Sequence, residues 1–148
     1  MSTLLVAVWA TLALPAFAAE EASARSIVLD AAEAQLADFL WTARPLVVFA
    51  DSPEDPRYIQ QLQNIENDVD ALSERDVVVL VDTDPTTLSP LREALRPRGF
   101  MLVLIGKDGG VKLRKPAPWT VRELGRVIDK MPMRQQEIRD RRASGDGS

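Results

Sequence analysis

The chain has 148 residues, none of them cysteine or histidine, and a single tyrosine. Without thiols, disulfides and dithiol redox chemistry are excluded. Without imidazole as well, zinc, copper and haem lose their usual ligands. Neither a Ser-His-Asp nor a Cys-His relay can be assembled. Any metal would have to be a hard, oxygen-liganded ion such as magnesium or calcium, and any proton transfer falls to Asp, Glu, Lys or Tyr. Aromatics make up 5% of the chain and the net charge is -4. That leaves no stacking platform for bases and no overall basic field, so nucleic acid is not an expected partner. No resident cofactor is expected, and no metal site is assigned.

What is present describes one soluble domain. Hydrophobic residues are 46% and charged residues 27%, an ordinary balance for a chain long enough to build one core. Met1 to Ala19 reads as an export signal: Leu4 to Leu14 is apolar, Pro15 ends the run, and Ala16-Phe17-Ala18 offers the small-x-small pattern cut by signal peptidase. No Lys or Arg precedes the run, which is shorter than the roughly 18–20 residues needed to span a bilayer. Cleavage is expected near Ala18 or Ala19. The expected layout is a signal at 1–19, a folded domain at 27–131 and a charged helix or tail at 132–148. The compartment is periplasmic or secreted, and the membrane is met through the signal segment during export.

The organising stretch is Arg44 to Arg57, R-P-L-V-V-F-A-D-S-P-E-D-P-R. Leu46 to Ala50 is apolar at every position, as a strand covered on both faces should be. An acidic turn follows, with Asp55 as helix N-cap and Pro56 as the first helical residue. The spacing predicts a helix to about Leu72, with Ile59, Leu62, Ile65, Val69 and Leu72 inward. Before this stretch, Asp30-Ala31-Ala32-Glu33 has the spacing of a capping box, predicting a helix with Leu29, Ala32, Leu36, Phe39 and Leu40 on one face. After it, Val77 to Val81 and Phe100 to Ile105 are buried strands, with a short helix opened by Ser89-Pro90 between them. Gly106 to Gly110 is a hairpin turn, and Val111 to Arg114 alternates like an edge strand. Thr120-Val121-Arg122-Glu123 opens the last core helix, with Val121, Leu124, Ile128 and Met131 inward.

This order, βαβαββα after the first helix, puts the second strand on one side of the first through a right-handed crossover and the third on the other. The expected fold is α/β: a thioredoxin-like three-layer sandwich on a four-stranded mixed sheet, strand order 2-1-3-4. The end of the Leu46–Ala50 strand is then a switch point, where ligands of such sheets bind.

Three segments are similar to one known family. L-I-G-K-D-G-G-V-K-L-R (Leu104 to Arg114), I-D-K-M-P-M-R-Q-Q-E-I-R (Ile128 to Arg139) and R-P-L-V-V-F-A (Arg44 to Ala50) resemble the bacterial family catalogued as domain of unknown function 4174. The resemblance covers roughly Leu40 to Arg139. It implies a thioredoxin-like fold in exported bacterial proteins, related to a domain of animal sushi-repeat-containing matrix proteins, and it carries no assigned reaction. Thioredoxins place Cys-x-x-Cys where this chain has Asp51 to Arg57, and a cis-proline near the position of Met101. Both are absent here.

The candidate ligand contacts are Asp51, Arg57, Arg98, Lys107 and Lys112. Arg57 and Arg98 flank the switch-point groove. Lys107, Lys112, Arg114 and Lys115 cluster on the hairpin, either as a solvated edge or as a surface for an acidic ligand or partner. Asp51, Glu54 and Asp55 read as helix capping or as half of an oxygen-ligand metal site completed by Asp82 or Asp84. V-V-V-L-V-D-T-D-P-T (Val77 to Thr86) matches the strand-D-x-D-x-T opening of haloacid-dehalogenase-type phosphatases. In that reading Asp82 attacks phosphorus, Asp84 moves the proton and magnesium offsets charge. The downstream Lys and paired acidic motif that should accompany it are missing. The two readings are thus a non-redox binding module for an exported protein or small polar ligand, and a Mg/Ca-dependent hydrolase using Asp51, Asp82 and Asp84. No residue is assigned as catalytic.

Overall fold

A computed structural model describes residues 27–145. The expected export signal and the Glu20–Ser26 linker lie outside the described residues. Leu46 to Phe49 and Val77 to Val81, apolar and buried or half-buried at every position, drive the architecture. β2 (Arg44–Phe49) is covered along its whole length, and β3 (Val77–Asp82) pairs parallel to it with Leu46 opposite Val79. β4 (Met101–Ile105) lies antiparallel on the other side, with Leu46 opposite Leu104 and Phe49 opposite Met101. β5 (Val111–Lys115) closes that flank as a hairpin partner of β4. The four expected strands therefore stand in the expected order.

A fifth strand extends the sheet. β1 (Val28–Asp30) pairs parallel with β3, giving the order β1-β3-β2-β4-β5. This corrects the expected helix opening at Asp30. Val28 and Leu29 complete the open edge of β3, and Ala31 continues the ladder by donating to the Val81 carbonyl at 3.0 Å. The Asp30 carboxylate closes a turn on the Ala32 amide at 2.8 Å, and a single 3-10 turn, Leu36–Phe39, follows with Asp38 accepting from the Gln35 amide. Backbone pairing along a strand edge outweighs the helical spacing of a few apolar side chains.

Alternation along the strands loads both faces. Leu46, Val48, Val79, Leu102 and Leu104 pack beneath α1 (Pro56–Glu66), α2 (Val69–Ser73) and α4 (Val121–Ile128). Val47, Phe49, Leu80, Val103 and Ile105 face α3 (Pro90–Leu95) and the 3-10 turn. The result is a three-layer sandwich. The expected long helix breaks at Asn67-Asp68 into α1 and α2. α1 is also rotated from its expected face: Ile59 is exposed, whereas Tyr58, Gln61 and Ile65 are buried. The cause is Gln61, whose side-chain amide bonds both backbone groups of Trp119, at 2.8 and 3.0 Å. That anchor turns a polar residue inward. α5 (Pro132–Gly145) follows α4 and docks through charged groups described below. Among the described residues no helix is long and apolar enough to cross a membrane.

Candidate functional site

The switch point forms at the outgoing ends of β2 and β3. After Ala50 the chain turns through Asp51 to Asp55, where the Ser52 hydroxyl donates to Glu54 and accepts from its amide. Asp55 caps α1 by accepting from the Arg57 amide at 2.9 Å, and the Arg57 guanidinium returns to the same carboxylate at 2.8 and 3.1 Å. Arg57 holds the Asp55 carboxyl below its ordinary value, and Asp55 in turn raises the Arg57 guanidinium. The Arg57 guanidinium sits over the Phe100 ring, 5.6 Å from its centroid, in cation–π range. Phe100 is buried, so this contact seats the first turn of α1 against the Arg96–Met101 loop. In that loop Arg96 adopts a left-handed conformation (φ 48°) as the C-cap of α3, and Gly99 supplies a second (φ 58°), which costs glycine little.

Beneath this rim lies a group that sequence reasoning passed over, Arg92. Its Nε donates to Asp82 Oδ1 at 2.8 Å, and its Nη2 donates to the carbonyls of Ala50 (2.9 Å) and Asp82 (3.2 Å). The guanidinium also stands over the Phe49 ring at 5.4 Å. The Arg92 and Asp82 side chains are each 6% exposed. Ser89 adds a hydroxyl to Asp82 Oδ2 at 2.7 Å while capping α3. One arginine thus satisfies the last carbonyls of two adjacent strands and neutralises the carboxylate between them. The available signal was an Asp ending an apolar strand, followed by an Arg between the inward Leu91 and Leu95.

The same geometry separates the acids of the hydrolase reading. Both Asp82 oxygens are engaged by Arg92, Ser89 and the Asp84 amide. Asp84 is occupied by Thr86 and Thr87, whose hydrogen bonds lower its carboxyl to about 2. Asp51 is exposed on the other loop. Among the described residues no cluster of three or more acidic side chains is placed to hold a metal.

Of the expected ligand contacts, Asp51, Arg57 and Arg98 lie at this pole, with Arg57 and Arg98 exposed. Lys107 and Lys112 lie at the opposite one, because β4 runs antiparallel to β2 and delivers the hairpin beside Arg44. Lys107 is 10% exposed and bonds Asp76 and Glu137, each at 2.8 Å. Lys112 pairs with Asp108 at 2.9 Å. Around Lys107 the charges form a structural network. Arg44, 1% exposed, donates to Glu137 at 2.9 Å and to the Arg75 carbonyl at 2.8 Å. Arg134 reaches Glu137 and the Glu74 carbonyl, and Arg75 forks onto Asp129. These bonds dock α5 across the incoming end of the sheet. Burial pushes the Glu137 carboxyl up, but the hydrogen bonds from Arg44 and Lys107 outweigh it and hold the group at about 2.

A central strand with a parallel neighbour on one side, an antiparallel hairpin on the other and helices on both faces defines a thioredoxin-like protein, here one without thiols. Among solved structures, Plasmodium yoelii Prx1a modified at the N-terminus superposes with a TM-score of 0.52 at 17% identity, covering 68% of this chain and 80% of that one. The Plasmodium yoelii thioredoxin peroxidase I gives 0.48 at 17% identity, over 68% and 79%. At this identity the first likeness speaks for fold alone. The chain belongs to the family described as domain of unknown function (DUF4174), whose model matches residues 35–137. It is also 29% identical over 133 residues to the coiled-coil domain-containing protein 80 of Danio rerio, a match covering 70% of this chain and 15% of that protein. The chain thus spans a small part of that relative's length.

Proposed function

We propose that this protein is an exported binding module of thioredoxin-like fold without redox function, and that it takes a polar small molecule or an exported protein in the groove between the Asp51–Arg57 turn and the Arg96–Met101 loop. One observation carries the reading: the Arg57 guanidinium over Phe100 seats the two loops against each other at the switch point of the sheet. The exposed Arg57, beyond its fork onto Asp55, and the exposed Arg98 would offer donors to an anionic or carbonyl-bearing group. Thiol chemistry at this rim is excluded because the chain has no cysteine. Export rests on the pattern at Met1 to Ala19, and N-terminal sequencing of the mature protein checks it: a first residue near Glu20 is expected.

The groove is tested by a photo-crosslinking residue placed at Arg98, with a second placed at Arg122 on the α4 surface as a control. A discrete adduct from position 98, diminished by Arg57→Ala and absent from the control position, is the expected result. Equal labelling from both positions, or an adduct indifferent to Arg57→Ala, would overturn the groove assignment.

A further inference from the structure

Charge along this chain is segregated, and three cations of the basic stretch fall on the edge strand of the sheet. From Ala94 to Arg122 the sequence carries seven cations and a single acid, Asp108, while the rest holds eleven cations and twenty-one acids. That stretch is β4, β5 and their flanking loops. β5 is the last strand of the sheet, paired with β4 alone among the described residues. Arg114, opposite Val103, is fixed by a 2.7 Å hydrogen bond to the Leu95 carbonyl, and Lys112 pairs with Asp108 at 2.9 Å. A bulge at Lys112 sets Val111 opposite Ile105 and Leu113 opposite Leu104, so these two apolar residues lie on opposite faces; Leu113 packs on the core, and Val111 is 45% exposed. Lys115 stands over the Trp119 ring at 4.8 Å.

A charge or two on an edge strand is enough to discourage self-pairing. A set of three cations on a five-residue strand, of which Lys112 also pairs with Asp108, goes beyond that need in an acidic protein. It repels a strand of its own kind and attracts one of opposite sign. We propose that β5 is a docking edge for an extended acidic polypeptide segment, alternating acidic and apolar residues, which adds to the sheet as a further strand. Its backbone would pair with the outer row of β5 N–H and C=O groups, its acids would meet Lys112 and Arg114, and an apolar residue would lie beside Leu113. A polyanion without a peptide backbone could use the charge but neither the hydrogen-bonding row nor the apolar contact. This surface is independent of the groove proposed above.

The test uses the mature chain and a fluorescent decapeptide alternating Glu and Val, followed by anisotropy. The comparison ligands are the same peptide N-methylated at alternate residues, a Lys-Val decapeptide and a heparin oligosaccharide. Saturable, salt-sensitive binding of the Glu-Val peptide is expected, with new hydrogen-exchange protection of the Val111–Lys115 amides. N-methylation, and separately the Lys112→Glu/Lys115→Glu double reversal, should each weaken it about tenfold or more. Arg57→Ala should leave it unchanged, which separates this edge from the groove. Because N-methylation alters the ligand alone, that arm holds even if the double variant folds poorly. No binding of the Glu-Val peptide would overturn the proposal, as would equal binding of the N-methylated peptide or heparin, or unchanged exchange along β5.

Discussion

Replacing Arg92 by leucine should be among the most damaging single substitutions in the chain, and the structure says why. The guanidinium is 6% exposed and holds three acceptors: the Asp82 carboxylate at 2.8 Å and the Ala50 and Asp82 carbonyls at 2.9 and 3.2 Å. Leucine retains packing against Phe49 but strands a carboxylate that is itself 6% exposed. Breaking a buried pair from one side typically costs about 3–5 kcal/mol, out of a total stability of roughly 5–15 kcal/mol for a domain. The melting temperature should fall by roughly 10–20 °C. Urea titration followed by far-ultraviolet circular dichroism measures the loss directly, with the slope unchanged if the denatured state is unaffected. Asp82→Asn should cost less, because Arg92 keeps both carbonyls and an amide oxygen. In the double variant the stranded charge is gone, so the two losses should fall short of additive by about 1 kcal/mol or more. If Arg92→Leu stays within about 1 kcal/mol of the parent, or if the two changes simply add, the pair is not the keystone described here.

Other parts of the structure make separate predictions. The Glu137 carboxyl is lowered from 4.5 to about 2 in the folded protein, so its contribution is full above the unfolded value and is lost as pH falls from about 5 towards 2. Taken whole, that shift would be worth about 3 kcal/mol; solvent at a partly open carboxylate reduces it to roughly 1–2 kcal/mol. The stability gap between the parent and Glu137→Gln, read by urea titration at several pH values, should shrink over that window and not elsewhere. Gln61→Leu orphans the Trp119 amide, while Asn64 still donates to the Trp119 carbonyl at 3.1 Å; a loss of about 1–3 kcal/mol is expected in the same assay. Thr120→Ala removes one arm of the capping box on α4, where Thr120 accepts from the Glu123 amide at 3.2 Å. It should cost about 1 kcal/mol, and Thr120→Ser should restore most of it.

How much of this was legible in the sequence depended on the range of the interactions involved. β2, β3, β4 and β5 were visible because burial on both faces, or alternation at an edge, writes itself into neighbouring residues. Their order followed from crossover handedness. The caps at Asp55, Ser89 and Thr120 were equally local and stand where spacing puts them. β1 was missed because its pairing partner, β3, lies about fifty residues away, and its own three residues read equally well as a helix start. The inward turn of Gln61 depends on Trp119, 58 positions distant. Lys107 looked like an exposed turn lysine because Asp76 and Glu137 reach it from two remote segments. Arg92 was hidden for the same reason. Local chemistry marks it as one polar residue on a short helix, and only the convergence of β2, β3 and α3 gives it three acceptors.

That convergence also limits where function can sit. At the outgoing end of a central parallel pair, the last carbonyls need donors, and a bound ligand could supply them. Here Arg92 already does so, and its charge is spent on Asp82 in the same arrangement. A ligand entering the switch point therefore meets a satisfied floor, which has little hydrogen-bonding capacity left to offer. The donors of the proposed groove are instead the exposed Arg57, which stands over Phe100, and the exposed Arg98. Recognition at this pole should accordingly be a rim property: sensitive to Arg57 and Arg98, dependent on Arg92 only through stability, and indifferent to reductant.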